Sequence, residues 1–390
     1  MSQYKTEVEM LQIDQSFTLP YHFPVCFDRD TLAPENSLLR DIIGRAGAGP
    51  HRVLPVIDSN VLQTHPQLVE RLKLYAEMHG ETIELIEPPL IVRGGEICKS
   101  DPVEVDEFYQ RTQTQNIDRH SFVLVIGGGA VVDAIGYAAA TAHRGIRLIR
   151  MPTTVLAQND AGIGVKNAIN YRGRKNYLGT FAAPYAVIND FDFLETLPTR
   201  DRVSGIAEAI KVALIRDSEF FQWLHQQRQA LANFDTEVSE RMIIRCAELH
   251  LNHIRTSGDP FEQGSARPLD FGHWCAHRLE ELSDNELRHG EAVAIGIALD
   301  SLYSHAQGMI DTATLTQIRE TLEGVGFHLQ HSALASLDIE KALEDFREHL
   351  GGKLCITLLT SAGSAKEVGV IDYPTMQACR TQLLENTWPR

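Results

Sequence analysis

The first half of the chain alternates short apolar runs with amphipathic segments, and this alternation restricts the possible folds more than any other feature. The apolar runs have the length of buried strands, and the segments between them have helical periodicity. The strand-like runs lie at 52–57, 82–86, 121–126 and 147–151, and the helix-like segments at 67–79, 103–114 and 130–143. Strict alternation of this kind is typical of a parallel sheet covered by helices. A further β-like run lies at 16–27.

The pattern changes near residue 198, after which long helical periods dominate. They cover 204–215, 218–232, 236–254, 273–282, 290–307 and 311–324, and one more strand-like run follows at 354–359. We therefore predict an α/β, Rossmann-like domain over residues 1–197. A mostly α-helical domain, which we expect to bind metal and substrate, would follow over residues 198–390.

Composition excludes several classes of partner. The 390 residues carry a formal net charge of −16 at pH 7, which disfavours binding to nucleic acids or anionic membranes. The six cysteines are scattered, as is usual in a reducing compartment, and no apolar stretch is long enough to span a bilayer. The N-terminal segment carries acidic residues instead of the apolar centre of a signal peptide. We expect a cytoplasmic protein.

Three histidines and a glutamate suggest a metal centre. His273 and His277 lie four residues apart on one face of a predicted helix, and His289 begins the next apolar segment. Glu208 lies in a helix whose flanks are apolar, three residues before Lys211, so it needs a partner. Imidazole and carboxylate groups can bind a divalent metal with an open coordination position. Spacing alone does not decide which three ligate. Core or capping histidines are the alternative for the imidazoles, and an ordinary surface ion pair is the alternative for Glu208 and Lys211.

A second set of residues suggests a nucleotide site. The glycines at 127–129 follow a predicted strand and precede a helix, where backbone N–H groups can bind a phosphate. Asp133 lies one turn into that helix, and Thr153 and Thr154 follow the next strand. Glu96 and Lys99 follow another apolar run, where a solvated turn is the alternative. A tight strand–helix turn is the alternative for the glycines.

A region rich in glycine and basic residues follows, and we interpret it as a loop that captures anions. It contains Asp160, Lys166, Lys175 and Asn176. Lysines near glycines suit phosphate binding as point charges. A basic surface loop is the alternative.

Taken in order, these motifs resemble those of the dehydroquinate synthase superfamily, the sugar phosphate cyclases. The likeness extends from about residue 50 to about residue 360 and rests on 127–133, 144–145, 152–157, Asp160, Lys166, 173–176, 193–198, 207–211, 271–273, His277 and 289–291. The chain looks most similar to the branch of 2-epi-5-epi-valiolone and 2-epi-valiolone synthases and to the EboD-type proteins.

The resemblance implies a set of roles. Glu208, His273 and His289 would hold a divalent metal, usually zinc, with cobalt as a substitute. His277, Lys211, Asn176 and Lys166 would surround the substrate phosphate, which Arg144 would reach from the neighbouring subunit of a homodimer. The residues implied on the NAD side are Asp58, Glu96, Lys99, Gly128, Gly129, Asp133, Thr153, Thr154, Asp160, Lys175, Phe193 and Thr196.

Departures from the family pattern point to the substrate. Asp270 stands where dehydroquinate synthases have an asparagine, and Ala266 and Asn252 stand where they have basic residues that receive a carboxylate. A run at 347–352 that includes His349 replaces a pair of lysines, and we expect His349 and Asp270 to act at the substrate. The expected function is therefore conversion of sedoheptulose 7-phosphate into an epi-valiolone-type cyclitol with phosphate release and recycled NAD. The alternatives are a 3-dehydroquinate synthase acting on a heptulosonate 7-phosphate and an NAD-dependent metal alcohol dehydrogenase.

Overall fold

The computed structural model describes residues 12–256, 261, 268–284, 286–349 and 352–389. It confirms the predicted fold class, because a parallel sheet with helices is followed by a mostly helical region. The strands are β1 Val25–Asp28, β2 His51–Asp58, β3 Ile83–Leu85, β4 Leu90–Val92, β5 Phe122–Gly127, β6 Arg147–Pro152, β7 Lys166–Tyr171, β8 Arg174–Phe181, β9 Ala186–Asp190, β10 Ile356–Ser361 and β11 Ser364–Val368.

The helices of the first half are α1 Leu38–Gly44, α2 Ser59–Thr64, α3 Leu68–Met78, α4 Ile97–Ser100, α5 Val103–Thr114 and α6 Gly129–Thr141. Those of the second half are α7 Thr199–Ser204, α8 Ile206–Arg216, α9 Ser218–Ala232, α10 Thr236–Thr256, α11 His273–Leu282, α12 His289–Ala306, α13 Thr312–Gly324, α14 Ile339–His349 and α15 Tyr373–Leu384.

The main sheet is parallel and runs in the order β1-β9-β6-β5-β2-β3, with β4 also paired to β2. Every residue of β5 is buried, as expected for a parallel strand that is covered on both faces. From β2 the chain leaves towards β3 and β4, and it returns to the other side of β2 as β5. The carboxyl ends of β2 and β5 therefore flank a topological switch point, where open parallel sheets bind their ligands.

Alternate residues of β5 face the two layers of helices. Leu124 joins a cluster that includes Ile42 of α1 and Leu72 of α3. Val125 belongs to the cluster on the opposite face, which includes Phe108 of α5 and Val131 and Ile135 of α6. Burial on both faces thus fixes the sheet between α1 and α3 on one side and α5 and α6 on the other.

The helical region has its own core, in which α8 and α12 are central. Residues 206–215 of α8 are all buried, so Glu208 and Lys211 lie on a helix with little solvent-exposed surface. Helix α12 is buried from Gly290 to Ser304 except at Glu291. Gly296 of α12 lies against Gly272, which precedes α11 and has φ +77. This close approach sets the position of α11 relative to α12.

Two sequence interpretations were wrong in detail. Within the β-like run at 16–27 only the last three residues enter a strand, as the start of β1 Val25–Asp28, because Pro20 and Pro24 lack the N–H donors that a ladder requires. The region interpreted as a Gly-rich loop instead contains the antiparallel hairpin β7–β8, which turns at Arg172 and Gly173, both with positive φ.

Two bulk features agree with the expectations from composition. All six cysteines are free thiols. Among the described helices, none combines the length and apolarity that crossing a bilayer requires.

Candidate metal and nucleotide site

Glu208, His273 and His289 come together from three different helices. The Nε2 atoms of both histidines lie 3.6 Å from Oε1 of Glu208, and ligand-capable atoms of all three residues lie within 4.8 Å of one another. Glu208 lies on α8, and His273 and His289 are the first residues of α11 and α12. Two adjoining helix starts and one buried helix thus converge on a single point.

The donor set suits a divalent metal. Separations of 3.6 Å are too long for good hydrogen bonds. They are close to the distance of about 3.4 Å between ligand atoms of a tetrahedral ion whose bonds are about 2.1 Å long. Glu208 is 1% exposed, and neither of its oxygens accepts a hydrogen bond of normal geometry from the described residues. Lys211 contacts Oε2, so Oε1, which faces both imidazoles, is the oxygen available to a metal ion.

Electrostatics at the cluster favour an ionised carboxylate. Burial opposes ionisation, but the ammonium of Lys211, which contacts Oε2, and the imidazole of His289 lower the pKa of Glu208 to about 2. Burial and the neighbouring Lys211 hold the pKa of His273 well below its usual range, so that this imidazole is neutral as a metal ligand must be. Although burial opposes it, Glu208 and Glu280 raise the pKa of His289 to about 10.

His277 lies one helical turn after His273 and belongs to a neighbouring group. Its ring centroid is 5.8 Å from that of His273 and 5.9 Å from that of His289. His277, Glu280 and His289 form a second set of donors, in which Oε2 of Glu280 lies 3.3 Å from Nδ1 of His289. The first set leaves His277 beside the candidate metal position, within 6 Å of both ligating imidazoles by ring centroid.

The start of α11 is held by a buried acid that the sequence did not reveal. Asp300 of α12 is fully buried and accepts hydrogen bonds from the backbone N–H of Gly272 at 3.0 Å and from Nε1 of Trp274 at 2.7 Å. Burial raises the pKa of Asp300 to about 7, although both donors oppose the shift. These two bonds bracket His273 and fix its approach to the cluster.

Asp58 and the glycines predicted on the nucleotide side lie at the carboxyl ends of β2 and β5. Asp58 ends β2 and accepts the N–H of Asn60 at 2.8 Å, and Gly128 caps α6. Gly94 lies directly against them, since a Cβ there would be 2.1 Å from Oδ1 of Asp58. The N-terminus of α6, which begins at Gly129, thus opens onto the switch point, where its N–H groups can bind an anion.

Lys99 connects the nucleotide side to the hairpin. Its side chain is 6% exposed, and its ammonium lies 2.8 Å from Oδ2 of Asp133 on α6 and donates to Oδ1 of Asn176 on β8. Glu96 accepts a hydrogen bond of 2.7 Å from Asn170 of β7. Glu96, which caps α4, and Lys99 within α4 therefore hold the hairpin against the carboxyl end of the sheet.

Thr153, Thr154 and Asp160 lie along the segment after β6. The N–H of Thr153 donates to the carbonyl of Gly127 at 3.0 Å, and Oγ1 of Thr154 accepts the N–H of Ala157. Asp160 lies in a short π-helical turn, 2.7 Å from Nδ1 of His250. Asp160 also interacts electrostatically with Lys211, which brings the sheet end close to the metal cluster.

Phe193 and Thr196 lie on the 3₁₀ turn Phe191–Thr196, and both contact a histidine that sequence reasoning missed. Nε2 of His65 lies 2.9 Å from Oγ1 of Thr196, and its ring packs edge-on to Phe193 at 5.1 Å. The loop after α2 therefore completes this part of the surface.

The remaining predicted residues are placed at different distances from the cluster. Asp270 is half-buried in the turn before α11, and its charge acts on Lys211. Lys166 is exposed at the start of β7, and Lys175 of β8 contacts Glu280 at 3.0 Å. Arg144 is exposed on the turn after α6, and no described contact joins it to the cluster within one chain. The side chain of His349 and all of Ala266 lie outside the described residues.

Arg150 is the largest group that sequence reasoning missed. It is fully buried, and its guanidinium donates to the carbonyls of Gly162 and Gly164 and to Oδ1 of Asn167 at 2.6 to 3.0 Å. Burial lowers its pKa to about 10. A charge inside the apolar run 148–151 was the available signal, because an arginine in a buried parallel strand requires such partners.

Comparison with known proteins gives the same family from sequence and from structure. The family model described as the 3-dehydroquinate synthase N-terminal domain matches residues 89–204, and the model for the C-terminal domain matches residues 205–349. A 3-dehydroquinate synthase from Shewanella sp. (strain MR-4) is 31% identical over 359 residues, which are 91% of this chain and 95% of that protein.

Solved structures extend the comparison to ligands. ValA, a 2-epi-5-epi-valiolone synthase from Streptomyces hygroscopicus subsp. jinggangensis 5008 with NAD⁺ and Zn²⁺ bound, superposes with a TM-score of 0.86 at 28% identity, covering 96% of this chain and 100% of that one. A 2-deoxy-scyllo-inosose synthase in complex with carbaglucose-6-phosphate, NAD⁺ and Co²⁺ shares the fold with a TM-score of 0.70 at 21% identity, over 93% and 96% of the two chains. The chain belongs to the 3-dehydroquinate synthase superfamily of sugar phosphate cyclases.

Proposed function

We propose that this sugar phosphate cyclase converts sedoheptulose 7-phosphate into an epi-valiolone-type cyclitol and releases phosphate, as a carbon–oxygen lyase that uses zinc and recycled NAD. The observation that carries the proposal is the crowding of acids around one ammonium. Lys211 interacts with Glu208, Asp160 and Asp270, so its positive charge is already shared among three carboxylates. A substrate carboxylate placed beside Asp270 would be repelled.

The basic residues that would receive such a carboxylate are also missing. Asn252 replaces a lysine of the family pattern, is exposed and accepts a hydrogen bond from Arg255 at 2.9 Å. A neutral amide in that position offers no charge to a carboxylate. Both observations favour a sugar phosphate whose only anionic group is its phosphate.

Each part of the site has a role in this reaction. When bound, zinc would supply a Lewis acid to a substrate hydroxyl, and NAD would accept and return a hydride. Glu208, His273 and His289 would hold the metal. His277 and Lys211 would stabilise the charge of the departing phosphate.

The hairpin supplies the other phosphate contacts in this proposal. Lys166 at the start of β7 and Asn176 of β8 lie on the same antiparallel ladder. An ammonium and an amide both suit a phosphate. Lys166 pairs with Phe181 at the open end of the hairpin, whereas Asn176 lies nearer the turn. Asp58, Glu96 and Lys99, with the N-terminus of α6, would contact the nucleotide at the switch point.

A direct assay tests the proposal. Purified protein is incubated with NAD, zinc or cobalt, and sedoheptulose 7-phosphate, and phosphate and the carbocyclic product are measured by colorimetry and NMR. We expect equal amounts of phosphate and cyclitol without accumulation of NADH. Steady NADH formation without phosphate release would instead identify an NAD-dependent alcohol dehydrogenase.

The similarity to curated 3-dehydroquinate synthases favours a second candidate, action on a heptulosonate 7-phosphate. The same assay with that sugar separates the two. We expect Asp270→Asn to reduce turnover of sedoheptulose 7-phosphate while NAD affinity stays within about twofold, and the exposed Asp345→Asn to change neither. Turnover of the carboxylated sugar alone would overturn our preference.

We also propose that the enzyme works as a homodimer in the cytoplasm, with Arg144 completing the partner's phosphate site. Arg144 is exposed and has no described partner within its own chain, which leaves it available to a neighbour. The test mixes inactive Arg144→Ala and His273→Ala proteins, which would form heterodimers with one intact site. Recovery of about a quarter of wild-type activity is expected for a shared site with random reassortment, and no recovery would refute it.

A further inference from the structure

Glu280 joins two parts of the site that lie far apart in the sequence. It is on α11, is 6% exposed, and uses its two oxygens for two different partners. Oε2 lies 3.3 Å from Nδ1 of His289, and Oε1 lies 3.0 Å from Nζ of Lys175 on β8. One buried carboxylate therefore contacts both a candidate metal ligand and the hairpin.

On the metal side, this contact orients an imidazole. When Nδ1 of His289 donates its hydrogen to Glu280, the lone pair of Nε2 faces Oε1 of Glu208, 3.6 Å away. A ligating histidine generally has such a carboxylate or carbonyl partner on its other nitrogen, which fixes the tautomer and the ring orientation. The ring also packs against His277 at 5.9 Å, so its rotation is limited from a second side.

On the hairpin side, Lys175 and Asn176 hold opposite sides of the same strand. Lys175 reaches Glu280 in the helical region, while Asn176 accepts from Lys99, which is bound to Asp133 on the nucleotide helix α6. The backbone N–H of Asn176 also donates to Oδ1 of Asn170 at 2.9 Å. Strand β8 is thus fixed between the nucleotide side and the metal side.

The charge balance makes the two contacts of Glu280 depend on each other. A buried carboxylate is costly unless it is paired. Nζ of Lys175 lies 3.0 Å from Oε1 of Glu280, while Nδ1 of His289 lies 3.3 Å from Oε2, so the ammonium and the imidazole share one carboxylate. Loss of the ammonium would leave a buried acid with only an imidazole as its partner.

We infer that Glu280 is a positioning residue that couples the β7–β8 hairpin to the metal ligand His289. It would keep the metal and the phosphate-binding strand at a fixed relative position. This inference rests on the metal site of the proposed function. It predicts that metal affinity depends on Lys175, a residue on the hairpin that is not a ligand. It also predicts that metal binding orders the hairpin.

The test measures metal affinity of the purified protein by competition with a chelator, using zinc and cobalt. Glu280→Gln should weaken binding about 10- to 100-fold, the usual effect of removing an outer partner of a ligating histidine. Lys175→Met should weaken binding in the same direction, and the double variant should be no weaker than Glu280→Gln, because both changes break one chain of contacts. Glu281→Gln is the matched control, since the next residue of α11 is exposed and, among the described residues, forms an ion pair with Arg278 on the same helix.

Hydrogen exchange of the hairpin amides at 166–181 is the second measurement. Adding metal should slow exchange there in the wild type and in Glu281→Gln, but not in Glu280→Gln or Lys175→Met. A purely structural role for Glu280 would change exchange with and without metal alike. Lys175→Met keeps the test available if Glu280→Gln does not fold.

The outcomes separate this inference from the proposed metal site. A wild-type protein that takes up no metal would overturn both. A wild type that binds metal, with Glu280→Gln and Lys175→Met binding equally tightly, would overturn only the coupling. Weaker binding by Glu280→Gln with an unchanged Lys175→Met would also overturn it, because the hairpin would then have no part in holding the ligand.

Discussion

The packing of α12 against the start of α11 predicts the effect of one added methyl group. In Gly296→Ala, the new Cβ would lie 1.9 Å from the carbonyl oxygen of Gly272, whereas real Cβ atoms stay at least 3.0 Å from such neighbours. The two segments must separate by about 1.1 Å, and the obstacle is backbone rather than a flexible side chain. Gly272 cannot readily adjust, because its φ of +77 already requires glycine.

The energetic cost follows from opposing contributions. Overpacking of a tight core costs about 3 kcal/mol at the upper end of its usual range. Alanine gains about 1 kcal/mol over glycine in a helix interior. We therefore expect a net loss of about 2 kcal/mol in the free energy of unfolding. Because His273 directly follows Gly272, we also expect displacement of this ligand and weaker zinc binding.

Urea unfolding and zinc content of the purified protein test this prediction. Gly44→Ala is the control, since Gly44 is exposed at the end of α1 and a Cβ there would have its nearest neighbour at 3.9 Å. It should leave metal content unchanged and stabilise the protein by about 0.5 kcal/mol. If Gly296→Ala matched the wild type in both stability and zinc content, the close approach and its control of His273 would be refuted.

Three further predictions concern buried charges. Lys211→Met should destabilise the metal-free protein by about 3 kcal/mol, because Glu208 loses the ammonium that contacts it. Bound zinc should reduce this loss of stability. Equal losses in urea unfolding with zinc and with chelator would contradict the prediction. His289, whose pKa is raised to about 10, must release a proton to ligate, so cobalt affinity should rise with pH between about 6.5 and 8.5, and a flat profile would contradict that assignment. Asp300, with a pKa raised to about 7, binds a proton more tightly when folded than when unfolded, so its contribution to stability is present at low pH and is lost as pH rises from about 4 to about 7. Unfolding at several pH values should show a steeper fall for the wild type than for Asp300→Asn.

The parts of the fold that the sequence predicted are those set by local patterns. Strand β5 appears where the apolar run 121–126 placed it, and α9 spans the predicted 218–232. The hairpin was missed because its strands carry polar and charged side chains, and because Arg172–Gly173 lacks the asparagine or aspartate that commonly marks such a turn. Exposed hairpin strands have little apolar periodicity to detect.

For the site, too, the sequence predicted which residues take part but not how they are arranged in space. The sequence identified His273, His277, His289 and Glu208 as candidates, since these residue types are unusual in apolar helices. It could not decide from spacing which three converge, because that depends on how α8, α11 and α12 cross. The structure places His273 and His289 each 3.6 Å from the Oε1 atom of Glu208.

Residues that support the site are harder to predict for a physical reason. Asp300, Glu280 and Arg150 each bond to groups on other elements, and Glu280 reaches a lysine 105 positions away. A charged residue within an apolar pattern indicates only that some partner must exist, since burial without one would cost several kcal/mol. The identity of that partner is set by tertiary packing. Buried charges in apolar runs are therefore useful markers of the residues that support a site. Arg150 is an example, because its strand leads directly to Thr153 and Thr154, two of the residues predicted at the nucleotide site.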